Sequence, residues 1–151
     1  MDTKQPRYWD KFHLLNKSEQ TLFQRLKDAA PALHVFPQVS MSQIFYGASQ
    51  NRYLQVAHVG RKSIDFLVCR VDTSIVLAIE LNGPTHEKKR QRIRDEKKKR
   101  ALEDAGIPLV IFDPASIPTV AAIRREIAPH IVERKHREVE RDKRLQRSPL
   151  D

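Results

Sequence analysis

Cysteine is nearly missing from this chain of 151 residues; Cys69 stands alone. One thiol excludes an intrachain disulfide and a cysteine-built zinc site. Set in an apolar run, Cys69 reads as a small buried hydrophobe. No long uninterrupted apolar run occurs, so no transmembrane helix is expected. The opening Met1-Asp2-Thr3-Lys4-Gln5-Pro6 lacks the apolar core of a signal peptide. His13, His34, His58, His130 and His136 show no ligand spacing, and no internal repeat is present. These absences point to a cytoplasmic protein with no membrane partner. The length suits one domain with a real core.

Charge is present in quantity and unevenly spread. The net charge is +9, from 28 Lys and Arg against 19 Asp and Glu. An acidic focus over residues 65–86 lies beside a dense basic run over residues 87–100. Cations hold a nucleic acid backbone and carboxylates hold a metal, so this pairing suits a metal-dependent phosphodiesterase. The competing explanation is a solvated helix with a Lys-rich face.

Local patterns give a coarse map. Tyr8, Trp9 and Phe12 fall in a lead-in over residues 1–15, either packed onto the domain or part of a flexible start. Asn16-Lys17-Ser18-Glu19 fits a capping box, and Leu22, Phe23 and Leu26 supply a helical stripe ended by Pro31. Residues 34–39 read as a strand that Pro37 places at an edge or bulge. Residues 40–45 suit a helical turn, residues 47–52 a loop, and residues 53–59 a strand or short helix. Residues 63–70 and 74–82 alternate with period two around the turn Val71-Asp72-Thr73, which predicts an antiparallel hairpin. If paired positions sum to 145, Asp65 faces Glu80 and residues 71–74 form a four-residue loop. Thr85 can cap a basic helix over residues 85–104, with Gly106 at its C′ position. The apolar strand over residues 107–112 should then lie parallel to the Glu80 strand through a right-handed crossover. After Pro114 the chain reads as helix, with Val120, Ile123 and Ile127 as a stripe, a kink or break at Pro129, and a charged helix to Arg147.

The fold class is therefore α/β, a mixed sheet flanked by helices with a charged C-terminal helix. The domain division is a lead-in (1–15), an α/β domain (16–113) and a helical extension (114–151). Asp65 and Glu80 stand in apolar strands, where a carboxylate is expensive to bury without a partner. A divalent cation such as Mg²⁺, or Mn²⁺, is a fitting partner, because it takes oxygen ligands from one or two carboxylates plus phosphate and water. Glu19 could add a ligand, although the capping box already explains it.

Asp65, then Glu80-Leu81-Asn82, then a basic helix and a closing strand resemble the core of the PD-(D/E)XK nuclease superfamily. Ile79-Glu80-Leu81-Asn82-Gly83-Pro84-Thr85-His86, followed by Arg94-Asp95, Lys98 and Ala105-Gly106-Ile107-Pro108-Leu109, resembles the bacterial domain of unknown function 2726, related to very-short-patch repair endonucleases. Leu14-Leu15-Asn16-Lys17-Ser18-Glu19 and Val35-Phe36-Pro37-Gln38-Val39 look like that family too. The resemblance spans roughly residues 14–112. It implies a restriction-endonuclease-like core and Mg²⁺-dependent cleavage of DNA. It makes Asp65, Glu80 and the Leu81 carbonyl metal ligands, and sets Glu19 in the place of an acidic residue on the first helix. His86 takes the place of a histidine suited to proton transfer. Lys88, Lys89, Arg90, Arg94 and Lys98 would contact nucleic acid. Asn82 departs from the pattern, which has a Lys there to orient water or stabilise developing charge. Arg94 or Lys98 could supply the missing cation from the next helix.

Three functions follow as expectations. The first is a metal-dependent nuclease acting on DNA in repair, restriction or processing. The second is a catalytically inactive nucleic-acid-binding module, which Asn82 favours. The third is a protein-interaction domain using the charged C-terminal helix.

Overall fold

The computed structural model describes residues 5–45, 61–83 and 89–147. The first helix, α1, spans Lys17–Ala29. Its capping box forms as the sequence predicts. Glu19 N–H donates to Asn16 Oδ1 at 2.9 Å, and Asn16 N–H donates to Glu19 Oε1 at 2.9 Å. Two otherwise orphaned donors are thereby satisfied. Strand β1 follows at His34–Ser40, then a 3₁₀ turn at Met41–Gln43. The hairpin strands are β2, Ser63–Cys69, and β3, Ile75–Leu81. Helix α2 runs Lys89–Asp104, strand β4 Leu109–Phe112 and helix α3 Val120–Arg147. The loop at 47–52, the element at 53–59 and the Thr85 cap lie outside the described residues.

The four strands form one mixed sheet in the order β1-β2-β3-β4. β1 and β2 pair antiparallel, as do β2 and β3, while β3 and β4 pair parallel. β1 is therefore an edge strand, where Pro37 removes no central ladder bond. Phe66 pairs with Ile79, Leu67 with Ala78 and Val68 with Leu77, which is the register predicted from alternation.

The turn differs from expectation by one residue. The register shifts between Val68 and Cys69, so that Cys69 pairs with Ile75. Arg70 N–H then donates to the Ser74 carbonyl at 2.9 Å, leaving Val71-Asp72-Thr73 as a three-residue loop. Thr73 takes the left-handed conformation (φ 69) that such a loop demands at its last position. Asp72 Oδ1 accepts from Ser74 N–H at 2.9 Å and Ser74 Oγ at 2.7 Å, which holds the bulge and lowers the Asp72 pKa.

Two apolar layers sandwich the sheet. On one face Phe66, Val68, Leu77, Ile79, Val110 and Phe112 pack with Leu22 and Leu26 of α1 and Ile123 and Ile127 of α3. On the other, Leu67, Cys69 and Ala78 meet Met41, Leu102 of α2 and Ile107. Each fully buried side chain of this size contributes about 1.5–3 kcal/mol relative to exposure. Burial pushes the Cys69 thiol up to about 11, with the Asp72 charge adding to it, so Cys69 stays protonated and apolar as expected.

Near one end of the sheet the pleat reverses. Val35 packs on the first layer and Val39 on the second, although alternation gives them one face. Gln38 lies between them at φ 52 and flips the strand. Helix α2 closes with the Schellman pattern that Gly106 announces. Gly106 sits at φ 69, its N–H donates to the Glu103 carbonyl at 3.0 Å, and Ile107 N–H reaches the Leu102 carbonyl at 2.9 Å.

Pro129 neither ends nor divides α3, which continues through it to Arg147. The helix is anchored on both sides of the proline. Ile123 and Ile127 lie in the core before it. Beyond it, Arg134 donates to the Ile75 carbonyl at 3.0 Å and the Gly106 carbonyl at 2.9 Å. Tertiary contacts on both flanks offset the one missing intrahelical bond. Tyr8, Trp9 and Phe12 do not pack onto the domain; they are 86%, 88% and 86% exposed.

Candidate metal and phosphate site

The site grows out of the β2–β3 register. Continuing the pairs Leu67–Ala78 and Phe66–Ile79 by one step sets Asp65 opposite Glu80. At that step the Asp65 side chain engages β3: its Oδ2 accepts the Leu81 N–H at 2.8 Å. Leu81 remains tied to β4, where it pairs with Phe112. Asp65 is thus fixed by backbone, with the rest of its carboxylate directed to other partners.

Glu80 is the strained member of the pair. Its side chain is only 15% exposed, and its pKa is raised to about 7. Burial is the largest cause, followed by the hydrogen bond that protonated Glu80 donates to the Asp65 carboxylate and by the Asp65 charge. Lys98 opposes the shift. Its Nζ lies 2.7 Å from Glu80 Oε1, and its side chain is 16% exposed. Two carboxyl groups and one ammonium thus share a half-dry edge of the sheet under α2. Near neutral pH that set is close to the point where it gains or loses a proton.

The other expected residues fall as follows. Asn82 is exposed, and its N–H donates to the Phe112 carbonyl at 3.0 Å, so its backbone extends the β3–β4 ladder. Glu19 keeps its capping role and gains a partner: Glu19 Oε2 accepts from Gln38 Nε2 at 2.7 Å. Among the described residues no three His, Cys, Asp or Glu side chains gather to hold a metal, so Glu19 does not complete a three-carboxylate set with Asp65 and Glu80. His86 and Lys88 lie outside the described residues. Lys89, Arg90 and Arg94 belong to the first turns of α2, ahead of Lys98.

Gln38 is the residue that sequence reasoning missed. The β1–β2 pairs Pro37–Phe66 and Val39–Ile64 set it opposite Asp65. The Gln38 side chain reaches Glu19 of α1, on the face opposite to the one where Lys98 of α2 meets Glu80. The available signal was a polar residue after Pro37 in an otherwise apolar strand. Only the pairing with β2 reveals what it faces.

Hard oxygen donors at Asp65 and Glu80 suit Mg²⁺ or Mn²⁺, with waters and a substrate phosphate filling the remaining positions. The neighbouring Lys98 ammonium suits a phosphate oxygen. Among the described residues no helix is long and apolar enough to cross a membrane.

Comparison with known proteins gives relationship without chemistry. A family model described as "Protein of unknown function (DUF2726)" matches residues 11–131. An uncharacterized protein of Haemophilus influenzae is 30% identical over 105 residues, covering 67% of this chain and 54% of its own. The chain thus spans about half the length of that relative. No solved structure matches.

Proposed function

This chain belongs to the DUF2726 family of proteins of unknown function, and from that premise we propose that it is a metal-dependent nuclease with a restriction-endonuclease-like core. The observation that carries the reading is Glu80, half-buried between the Asp65 carboxyl and the Lys98 ammonium, with its pKa raised to about 7. Structural carboxylates gain nothing from such crowding, whereas a divalent cation between them relieves it. Asp65 and Glu80 would hold the ion, together with the Leu81 carbonyl. Once bound, Mg²⁺ or Mn²⁺ neutralises phosphate charge and lowers the pKa of attacking water.

The chain's own residues supply the rest. Asp65 is oriented by the Leu81 N–H, which keeps its carboxylate beside Glu80. Lys98 provides the cation that Asn82 cannot, from the next helix rather than from β3. Lys98, 2.7 Å from Glu80 Oε1 at rest, would turn to a phosphate oxygen once Glu80 served as a ligand. Lys89, Arg90 and Arg94 on α2, with Lys88 before it, hold the nucleic acid backbone by charge. His86 keeps the role of proton carrier in this reading. Water attacks phosphorus, the P–O ester bond breaks, and the leaving oxygen takes up a proton.

The deciding experiment is cleavage of plasmid and single-stranded DNA with Mg²⁺ or Mn²⁺. Wild type should cleave, while Asp65→Asn and Lys98→Met should not. Equal activity in wild type and Asp65→Asn would overturn the reading. Salt-dependent DNA binding without cleavage in any metal would favour the inactive binding module that the neutral Asn82 suggests.

A further inference from the structure

The lead-in before α1 carries the largest exposed aromatic surface among the described residues. Tyr8, Trp9 and Phe12 show 86%, 88% and 86% of their area to solvent, and Leu14 72%. An ordinary lead-in buries such rings or lacks them. Here all three rings stay out, and Phe12 is fixed there by local structure. Phe12 has φ 65, a conformation a bulky residue rarely takes, and Asp10 Oδ1 fixes it by accepting the Phe12 N–H at 2.7 Å. His13 N–H donates to the Lys11 carbonyl at 2.8 Å, and its ring meets Phe12 edge-on at 4.7 Å.

Charge interrupts the rings: Asp10 and Lys11 stand between Trp9 and Phe12. Arg7 and Lys11 flank them, Lys17 opens the following helix, and Asp10 is turned back onto the backbone. A protein partner would prefer a continuous apolar patch. Rings flanked by cations suit a strand whose bases are apolar faces and whose backbone is anionic. The segment also leaves the fold at a telling place. Leu15 is buried in the core, and its carbonyl accepts from Gln20 Nε2 at 2.7 Å. Asn16 caps the helix turn that carries Glu19, which touches Gln38, the residue opposite Asp65. Phe12 is four residues from Asn16, so it stays within about 14 Å of that cap.

We propose that Tyr8, Trp9 and Phe12 form a stacking platform for the unpaired bases of single-stranded nucleic acid, feeding a strand to the Asp65–Glu80 edge. The proposal rests on the nuclease reading for its purpose, though base binding itself needs no metal. It names the substrate as a single strand or a frayed end, because paired bases have no free face to offer.

Trp9 is the only tryptophan in the chain, so its emission reports on the platform directly. The test titrates full-length protein in EDTA with oligothymidylate and, separately, with a blunt duplex. Saturable quenching by the single strand, weaker with the duplex, is the expected result. By fluorescence anisotropy of labelled oligothymidylate, Tyr8→Ala, Trp9→Ala and Phe12→Ala should each weaken binding about 5- to 150-fold. Trp9→Phe should restore most of the affinity, which loss of charge or of folding would not explain. Binding without a change in Trp9 emission, or unaltered in Trp9→Ala, overturns the proposal. Emission that depends on protein concentration alone assigns the rings to a second copy of the chain and also overturns it. Quenching without cleavage under Mg²⁺ would sink the nuclease reading and leave the platform standing. Cleavage without quenching would do the reverse.

Discussion

Lys98 Nζ lies 2.7 Å from Glu80 Oε1, and the two side chains keep only 16% and 15% of their surface in water. Such a pair is far from a surface ion pair, whose worth is near zero. It is also incompletely matched, since Asp65 presses on the same carboxyl from the other side. Lys98→Met removes the one group that lowers the Glu80 pKa. The expected loss is about 1–3 kcal/mol at pH 8, where Glu80 must carry its charge without a partner, and less at pH 5, where it is protonated. Urea unfolding at both pH values measures it. An equal loss at the two would reduce Lys98 to packing.

Glu80 itself makes stability depend on pH in an unusual direction. A raised carboxyl pKa means that the folded state binds the proton more tightly than the unfolded chain does. The benefit is fully present below the ordinary value of 4.5 and is lost as pH rises through about 7. Wild type should therefore lose roughly 2 kcal/mol between pH 5 and pH 8 from this group. Glu80→Gln, neutral at both, should flatten that part of the slope. A slope that survives the substitution would place the titration elsewhere.

Asp65→Asn separates stability from function. The Asn carbonyl can still accept the Leu81 N–H, so the strand end is kept. The charge that presses on Glu80 is gone, and the Glu80 pKa should move down toward its ordinary value. The variant is expected to be as stable as wild type at pH 8 or more so, and to bind no Mn²⁺ by calorimetry. Asp65→Ala, which strands the Leu81 N–H, should lose about 1–3 kcal/mol in addition. Retained Mn²⁺ binding in Asp65→Asn would remove this residue from the ligand set.

The features legible in the sequence are those that a short-range rule governs. Alternation over residues 66–69 of β2 and 76–79 of β3 fixes which side chains share a face, but it fails at Ile64, which sequence alternation puts with Phe66 and Val68 and which packs instead with Leu67 and Cys69. The Asn16–Glu19 box and Gly106 are local signals for helix ends, and each appears where its chemistry requires it. What escaped depends on distant partners. Nothing local marks Gln38 as left-handed, because its conformation answers to the turn of β1 over β2. Pro129 reads as a breaker until Arg134 is seen gripping two carbonyls beyond it. Nor does the sequence tell which cations grip backbone carbonyls. Arg25 spans to the Ile117 and Pro118 carbonyls at 2.8 and 2.9 Å, and Arg124 to the Ala29 and Asp28 carbonyls at 3.2 Å.

Glu19 tests whether its contact with Gln38 belongs to a metal site or to a hinge between helix and sheet. Both of its oxygens are engaged, Oε1 by the Asn16 N–H and Oε2 by Gln38. A metal would have to displace one of these bonds. Glu19→Gln retains a capping-box residue, and Gln38 can turn its amide to present oxygen to the new donor. Stability should fall by less than about 0.5 kcal/mol, and Mn²⁺ affinity should change less than about twofold. Glu19→Ala keeps the Asn16 cap but loses the reciprocal bond to the Asn16 N–H and the link to β1, and should lose about 1 kcal/mol. Were Glu19→Gln to weaken Mn²⁺ binding tenfold at unchanged stability, Glu19 would join Asp65 and Glu80 as a ligand. The capping box would then be the resting arrangement of a carboxylate that swings across Gln38 when the cation arrives.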